Sequence, residues 1–120
     1  MMAFVGNTSG YIQVFDTQSQ KQCKPLYHPR LAKNGVACMD ISENGQYLLA
    51  GYKKGTLALW DCSRFRLAHL MKDIAKDENS AFVNIKILFT AEQNILNVVT
   101  TEESGRMRQI QMQRGLLGKF

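Results

Sequence analysis

The sequence has only two histidines, three cysteines and two prolines, and these small numbers limit the sites and structures that it can form. Its two histidines, His28 and His69, lie far apart, and no CxxC or HxxxH spacing occurs, so the pattern predicts no zinc site. The three cysteines are widely separated and odd in number, which argues against a disulfide framework and favours a reducing compartment. With two prolines and many Val, Ile, Thr, Tyr and Phe residues, the composition favours β-strands.

Long apolar runs are also missing. No stretch approaches the roughly 18 to 20 consecutive apolar residues of a membrane span. The N-terminus, MMAFVGNTSG, has neither a positively charged segment nor a long apolar one, so it is not a secretory signal. These absences predict an intracellular chain or a fragment of something larger.

The positive charge is uneven along the chain. Residues 1–72 carry nine Lys and Arg against four Asp and Glu, whereas residues 73–120 carry six against six. A basic half of this kind suggests RNA or an anionic membrane surface as a partner. However, the basic residues stand singly or in pairs, and this spacing favours ordinary solvated strand and loop positions.

Two segments repeat each other at an offset of 45 residues. Residues 4–16 read FVGNTSGYIQVFD and residues 49–61 read LAGYKKGTLALWD, so two glycines and a closing aromatic–Asp pair fall at the same places. Residues 98–112 form a weaker third copy, in which Gly105 aligns with Gly55 at an offset of 50. A repeat of this length is typical of propellers and other repeat architectures.

The second copy indicates what one repeat builds. Residues 47–51 are predicted to form a short apolar strand, and residues 52–55 a turn in which Gly55 takes a positive φ without a Cβ clash. Residues 56–60 then alternate, with apolar side chains on both faces. Such a strand is predicted to be covered on both sides, as propeller blades are when they stack.

Counting strands predicts the architecture. Residues 36–71 supply four strands and thus one full blade, residues 3–27 the later strands of a preceding blade, and residues 81–112 most of a following one. The predicted strands of the last two units are 36–41, 47–51, 56–60, 65–71, 81–89, 95–100 and 107–112. The whole chain, residues 1–120, is therefore predicted to be an all-β, partial WD40-type β-propeller of about two and a half blades.

The loops 24–35 and 72–80 are expected to join these blades. A β-sandwich is the competing fold, but it requires neither the repeat nor the recurring aromatic–Asp pair. Propeller rings usually contain roughly 4 to 8 blades. We therefore expect the chain to be part of a larger propeller, or to assemble with other copies or another chain.

The residues that recur in the repeat are predicted to be structural. Trp60 is expected to pack between adjacent blades, and Asp61 to hydrogen-bond in the turn that follows it. The predicted structural WD-repeat residues are Gly10, Phe15, Asp16, Gly55, Trp60, Asp61 and Gly105. By contrast, Lys53 and Lys54 lie in an exposed turn and are the candidate contacts for an acidic partner.

No set of residues indicates catalysis. Asp40 and His69 suggest a catalytic pair, but neither a GxSxG elbow nor paired carboxylates accompany them. The glycines form no phosphate loop, because the GxxxxGK[ST] pattern does not occur. The sequence therefore predicts a non-enzymatic protein with no cofactor, no metal and no small-molecule substrate.

The segment LLAGYKKGTLALWD and the later strand ending in Phe89-Thr90 resemble the N-terminal propellers of the vacuolar protein sorting-associated protein 8 family, the CORVET tethering subunits. The Ser104-Gly105 pair in the third hairpin is similar as well. The resemblance implies a scaffold for protein–protein interaction in endosomal or vacuolar vesicle tethering and protein transport. Implied partners are tethering-complex subunits and a Rab-type GTPase, with peripheral membrane association through them and no nucleic acid. The alternative is a WD40 propeller fragment that binds RNA or anionic membrane through its basic N-terminal half.

Overall fold

The computed structural model describes residues 2–43, 45–72, 82–90 and 95–113, which form ten strands and two short 3-10 turns. The strands are β1 (Met2–Gly6), β2 (Ile12–Asp16), β3 (Lys21–Gln22), β4 (Val36–Ile41), β5 (Tyr47–Tyr52), β6 (Thr56–Asp61), β7 (Arg66–Met71), β8 (Phe82–Thr90), β9 (Ile95–Glu102) and β10 (Met107–Gln113). The turns are Pro29–Leu31 and Lys53–Gly55.

All strand pairs are antiparallel and form three sheets, each a meander of consecutive strands. We call β1–β3 blade 1, β4–β7 blade 2 and β8–β10 blade 3. The prediction of an all-β fold made of propeller blades is confirmed. The predicted start of the third blade at Ala81, most of the predicted loop 72–80 and the last residues, 114–120, lie outside the described part of the chain.

Blade 2 lies between blades 1 and 3. The two central strands of blade 2 are apolar on both faces, so both faces can be buried against a neighbouring blade. Every residue of β5 and β6 is buried. Leu48, Ala50 and Trp60 pack towards blade 1 in one core cluster, whereas Leu49 and Leu59 pack towards blade 3 in another. The strict alternation of a β-strand thus assigns neighbouring residues of one strand to two different cores.

Two repeat-equivalent glycines allow blades 1 and 2 to approach the first strand of the blade that follows each of them. A Cβ at Gly6 in β1 would lie 2.6 Å from Val36 Cγ1 in β4. A Cβ at Gly51 in β5 would lie 3.2 Å from Phe82 Cδ2 in β8 of the next blade. It would also lie 3.0 Å from the Sγ atom of Cys38, which is in β4 of the same blade. The recurrence of glycine at this position follows from the close approach of the neighbouring blade.

Candidate interaction surface

The Trp–Asp pair that ends β6 is enclosed within the sheet stack. Trp60 is 1% exposed and lies in the core between blades 1 and 2. Its indole Nε1 donates a hydrogen bond to the buried hydroxyl oxygen of Tyr52 at 3.2 Å, across the β5–β6 hairpin. Tyr52 was predicted to begin the turn of residues 52–55, but it is the last residue of β5, is fully buried and faces the same side of the sheet as Trp60.

Asp61 organises the turn from β6 to β7. Its Oδ1 accepts hydrogen bonds from the Ser63 backbone N–H at 3.0 Å and from the Ser63 hydroxyl at 2.6 Å. In blade 1, Asp16 Oδ1 accepts from the Gln18 backbone N–H at 3.0 Å, and this bond lowers the pKa of the Asp16 carboxyl. Both aspartates therefore build the same kind of local turn.

Phe15 has a different environment from its repeat equivalent, Trp60. It lies opposite Ala3 and Gln22, on the face of blade 1 that points away from blade 2. The side chain is 36% exposed, and no described blade covers it. The position recurs in the repeat, but within the described residues only Trp60 has a blade packed against it.

The three hairpin glycines share a left-handed backbone. Gly10, Gly55 and Gly105 have φ values of +88°, +72° and +88°. Their surroundings differ, however. A Cβ at Gly10 would lie 2.2 Å from the carbonyl oxygen of Leu31, whereas a Cβ at Gly105 would meet nothing within 4 Å.

Lys53 and Lys54 lie in the β5–β6 turn, and both are exposed. The loop that leads into β4 lies directly beside this turn, since the Lys53 backbone N–H donates to Gly35 O at 2.9 Å. The same loop contacts the β1–β2 hairpin, because the Lys33 N–H donates to Ser9 O at 3.1 Å. Three loops from two blades thus form one continuous edge, which we call the loop edge and define as residues 8–10, 29–35 and 53–55.

Arg30 and Lys33 are also exposed on the loop edge, so four basic side chains share it. Sequence reasoning missed these two residues because they stand 20 or more positions from Lys53 along the chain. The order of the strands nevertheless predicts that these loops are neighbours. In a meander, the loop entering one blade and the second hairpin of that blade lie at the same end of the sheet.

Asp40 and His69 are not brought together. Asp40 lies on β4 and His69 on β7, the two outer strands of blade 2, with β5 and β6 between them. Three inter-strand spacings of about 4.8 Å place their backbones roughly 14 Å apart. Asp40 instead joins two blades, because its Oδ2 accepts a hydrogen bond from the Ile87 backbone N–H of β8 at 2.8 Å.

Replacing Asp40 by alanine is expected to lower the free energy of unfolding by about 1.5–3 kcal/mol, the usual range for a hydrogen bond to a charged group. The Ile87 N–H is half-buried and would lose its acceptor. Urea denaturation of the purified chain measures the change. Asp40→Asn, which retains an oxygen acceptor, should lose less, and equal losses in the two variants would contradict this role.

No group of three or more His, Cys, Asp or Glu side chains suited to a metal ion occurs among the described residues. The same part of the chain contains no helix of the length and apolarity needed to cross a membrane.

Burial governs the titration of three groups near the blade interfaces. It raises the pKa of the Cys38 thiol to about 11 and that of the Tyr52 phenol to about 12. Burial, with the Asp61 carboxylate adding to it, raises the pKa of the Cys62 thiol to about 11. The thiols of Cys38 and Cys62 are therefore poor nucleophiles at neutral pH.

These raised pKa values predict that the chain loses stability at alkaline pH. Above pH 9.0 the unfolded chain releases the thiol protons first, so the free energy of unfolding falls as the pH rises towards about 11. Tyr52 extends the fall from pH 10.0 towards about 12. Urea denaturation across this range measures the slope. Tyr52→Phe should flatten the upper part, and an unchanged slope would contradict this assignment.

The family model described as the Vps8 beta-propeller matches residues 1–120. A comparison with curated proteins finds no match. The family match covers the whole chain, and the three-sheet structure agrees with it. The chain therefore belongs to the Vps8 beta-propeller family.

Proposed function

We propose that the chain is a non-catalytic scaffold for protein–protein interaction within a subunit that tethers vesicles at endosomes or the vacuole. The observation that carries the proposal is the family match over residues 1–120. The separation of Asp40 from His69 by two strands is consistent with a binding role rather than a catalytic one.

The proposed partners are the other subunits of the CORVET tethering complex and a Rab-type GTPase. In this proposal the chain lies on the cytoplasmic side of the endosomal or vacuolar membrane and associates with it through those partners. The loops at the two ends of the blades are the natural contact sites, because loops tolerate variation while the stacked sheets provide rigidity.

The test is affinity purification of the tagged chain from cells that contain the tethering complex. Tether subunits and an endosomal GTPase are expected to co-purify with it. Trp60→Ala, which is expected to disrupt the packing of blades 1 and 2, shows whether recovery of the partners depends on the folded blades. It is expected to abolish that recovery. Recovery of neither tether subunit nor GTPase by the folded chain would overturn the proposal.

A second candidate is binding of RNA or an anionic membrane through the basic N-terminal half. It is supported by the excess of five positive charges in residues 1–72. Such binding should weaken steeply as salt rises, because it releases condensed counterions or screens the surface potential. Absence of binding to RNA and to anionic liposomes at low salt would exclude it.

A further inference from the structure

The loop edge concentrates positive charge from separate parts of the chain. Arg30 and Lys33 come from the loop before β4, and Lys53 and Lys54 from the β5–β6 turn. All four are exposed. A Cβ at Gly35 would lie 3.4 Å from Lys53 Cε, so the Lys53 side chain crosses the boundary between the two loops. Folding thus assembles a basic surface that no local run in the sequence contains.

No acidic residue compensates this charge from the loops themselves. Residues 7–11, 24–35 and 52–56 contain neither Asp nor Glu. The ion pair found among the described residues joins Arg108 to Glu102 in blade 3 and involves none of the four basic side chains. The loop edge therefore presents four positive charges that no described residue neutralises.

Two of the lysines occupy unfavourable backbone positions. Lys33 has a φ of +62° and Lys54 a φ of +67°, both in the left-handed region that glycine and asparagine tolerate better. Lys54 is followed by Gly55, also at positive φ, and asparagine is a favoured residue before glycine in such turns. Gln20 and Phe65, in the β2–β3 and β6–β7 turns, also have a positive φ, so this conformation is common to the turns of the chain. At Lys33 and Lys54 it means that the backbone alone does not favour lysine over asparagine.

The loops that carry the charges are held in place. The Lys33 N–H bonds to Ser9 O, the Lys53 N–H to Gly35 O at 2.9 Å, and the Val36 N–H to Asn7 O at 3.0 Å. Leu31, at the centre of the loop before β4, is fully buried in the core between blades 1 and 2. A surface fixed in this way requires little ordering when it binds a partner.

We propose that the loop edge binds an acidic segment of a partner protein, through Arg30, Lys33, Lys53 and Lys54. This inference rests on the proposed scaffold function and specifies the chemistry of one partner. None of the exposed large apolar side chains lies in residues 8–10, 29–35 or 53–55, so the loop edge has no wedge for bilayer insertion. Tyr27, in the loop before β4, is 37% exposed, but its ring is already stacked on that of Tyr11 with the centroids 4.1 Å apart, so one ring face is occupied. The carboxylates of an acidic segment, by contrast, can pair with these four positive charges without an apolar or aromatic contact.

The probe is a fluorescently labelled glutamate-rich peptide, titrated with the chain while anisotropy is recorded. Binding is expected to weaken as salt rises, because exposed charges are screened. Carbodiimide treatment of the complex should join peptide carboxylates to Lys33, Lys53 and Lys54, and mass spectrometry identifies the lysines involved. Cross-links distributed evenly over Lys21, Lys24 and the loop-edge lysines would overturn the proposal.

The decisive variant is Lys33→Asn combined with Lys54→Asn. Asparagine suits both left-handed positions, so the variant should fold at least as stably as the parent chain while it loses two charges. We expect the peptide affinity to fall roughly fivefold to tenfold, as two exposed charge pairs allow.

The matched control is Lys21→Gln combined with Arg64→Gln. These two exposed residues lie at or beside the β2–β3 and β6–β7 turns, at the opposite end of the blades, and their replacement removes the same net charge. The control should bind the peptide nearly as tightly as the parent chain. Equal losses in the two double variants would show that only net charge matters and would overturn the proposal.

Two further measurements separate this proposal from the others. If phosphatidylserine vesicles or single-stranded RNA bind through Lys33 and Lys54 while the peptide does not, the acidic-protein assignment is wrong. If the variant with asparagine at both lysine positions co-purifies with all tether subunits as the parent chain does, the loop-edge proposal fails and the scaffold proposal stands. Loss of one partner from the variant alone supports both proposals.

Discussion

Replacing Trp60 by alanine is expected to lower the free energy of unfolding by about 3–5 kcal/mol, the range found for large aromatic side chains removed from cores. Trp60 is 1% exposed and fills the core between blades 1 and 2. Its removal leaves a cavity and takes the hydrogen-bond donor away from the buried Tyr52 hydroxyl. Urea denaturation of parent and variant chains, followed by circular dichroism, measures the loss.

The repeat supplies the control for this prediction. Phe15 is the equivalent residue in blade 1, but it is 36% exposed on a face that no described blade covers. Phe15→Ala should therefore cost about 1 kcal/mol or less, as partly exposed positions usually do. Comparable losses at the two positions would mean that packing between blades 1 and 2 does not set the contribution of Trp60.

A third variant, Trp60→Phe, separates the two contributions of the indole ring. Phenylalanine retains much of the buried apolar surface but has no donor for Tyr52. The free energy of unfolding of the Trp60→Phe variant should lie between those of the parent chain and the Trp60→Ala variant. The double variant with Tyr52→Phe should then recover part of the loss, since no buried hydroxyl is left without its partner.

The fold was predictable from the sequence because the repeat carries several independent signals. The offset of 45 residues, the alternation of β6 and the glycines of the hairpins each indicate the same unit. Strand positions followed from these signals to within one or two residues in β4 to β7. The fold can be predicted here because the turn residues and the apolar pattern indicate the same strands.

The surface was less predictable, because it depends on which loops become neighbours. Lys53 and Lys54 were identifiable as exposed turn residues, but Arg30 and Lys33 gained a role only when the loop before β4 was found beside them. The positive φ of Lys33 and Lys54 also had no sequence signal, since lysine is not a residue that predicts left-handed backbone.

Contacts between blades were likewise hidden from sequence reasoning. Asp40 suggested catalysis as a sequence feature, yet its carboxylate accepts from the Ile87 N–H of the next blade. The first strands of blades 2 and 3 both contain a register shift near their starts, at Val36/Cys38 and Phe82/Asn84. A bulge adds one residue and bends the strand, and neither effect is encoded in a periodic apolar pattern.

The hairpin glycines show the same division between local and tertiary causes, most clearly at Gly10. Gly10→Ala is expected to lower the free energy of unfolding by about 3 kcal/mol. Roughly 1–2 kcal/mol comes from placing a Cβ on a left-handed residue with a φ of +88°. The rest comes from overpacking, for which roughly 1–3 kcal/mol is typical.

The overpacking at Gly10 has a specific cause. An added Cβ would lie 2.2 Å from the backbone oxygen of Leu31 and 3.1 Å from that of Asn34. Backbone atoms cannot rotate away as a side chain can, so the loop before β4 must shift. Because Leu31 anchors that loop in the core between blades 1 and 2, the shift should also disturb the packing around Trp60.

Gly105→Ala is the matched control, because Gly105 has the same φ of +88° at the equivalent hairpin position of blade 3 but nothing within 4 Å of its added Cβ. It should lose only the backbone contribution of roughly 1–2 kcal/mol. Urea denaturation of both variants isolates the contact with Leu31 as the difference between them. If the two losses are equal, backbone conformation alone explains the glycine, and the loop before β4 does not depend on its close approach to the first hairpin.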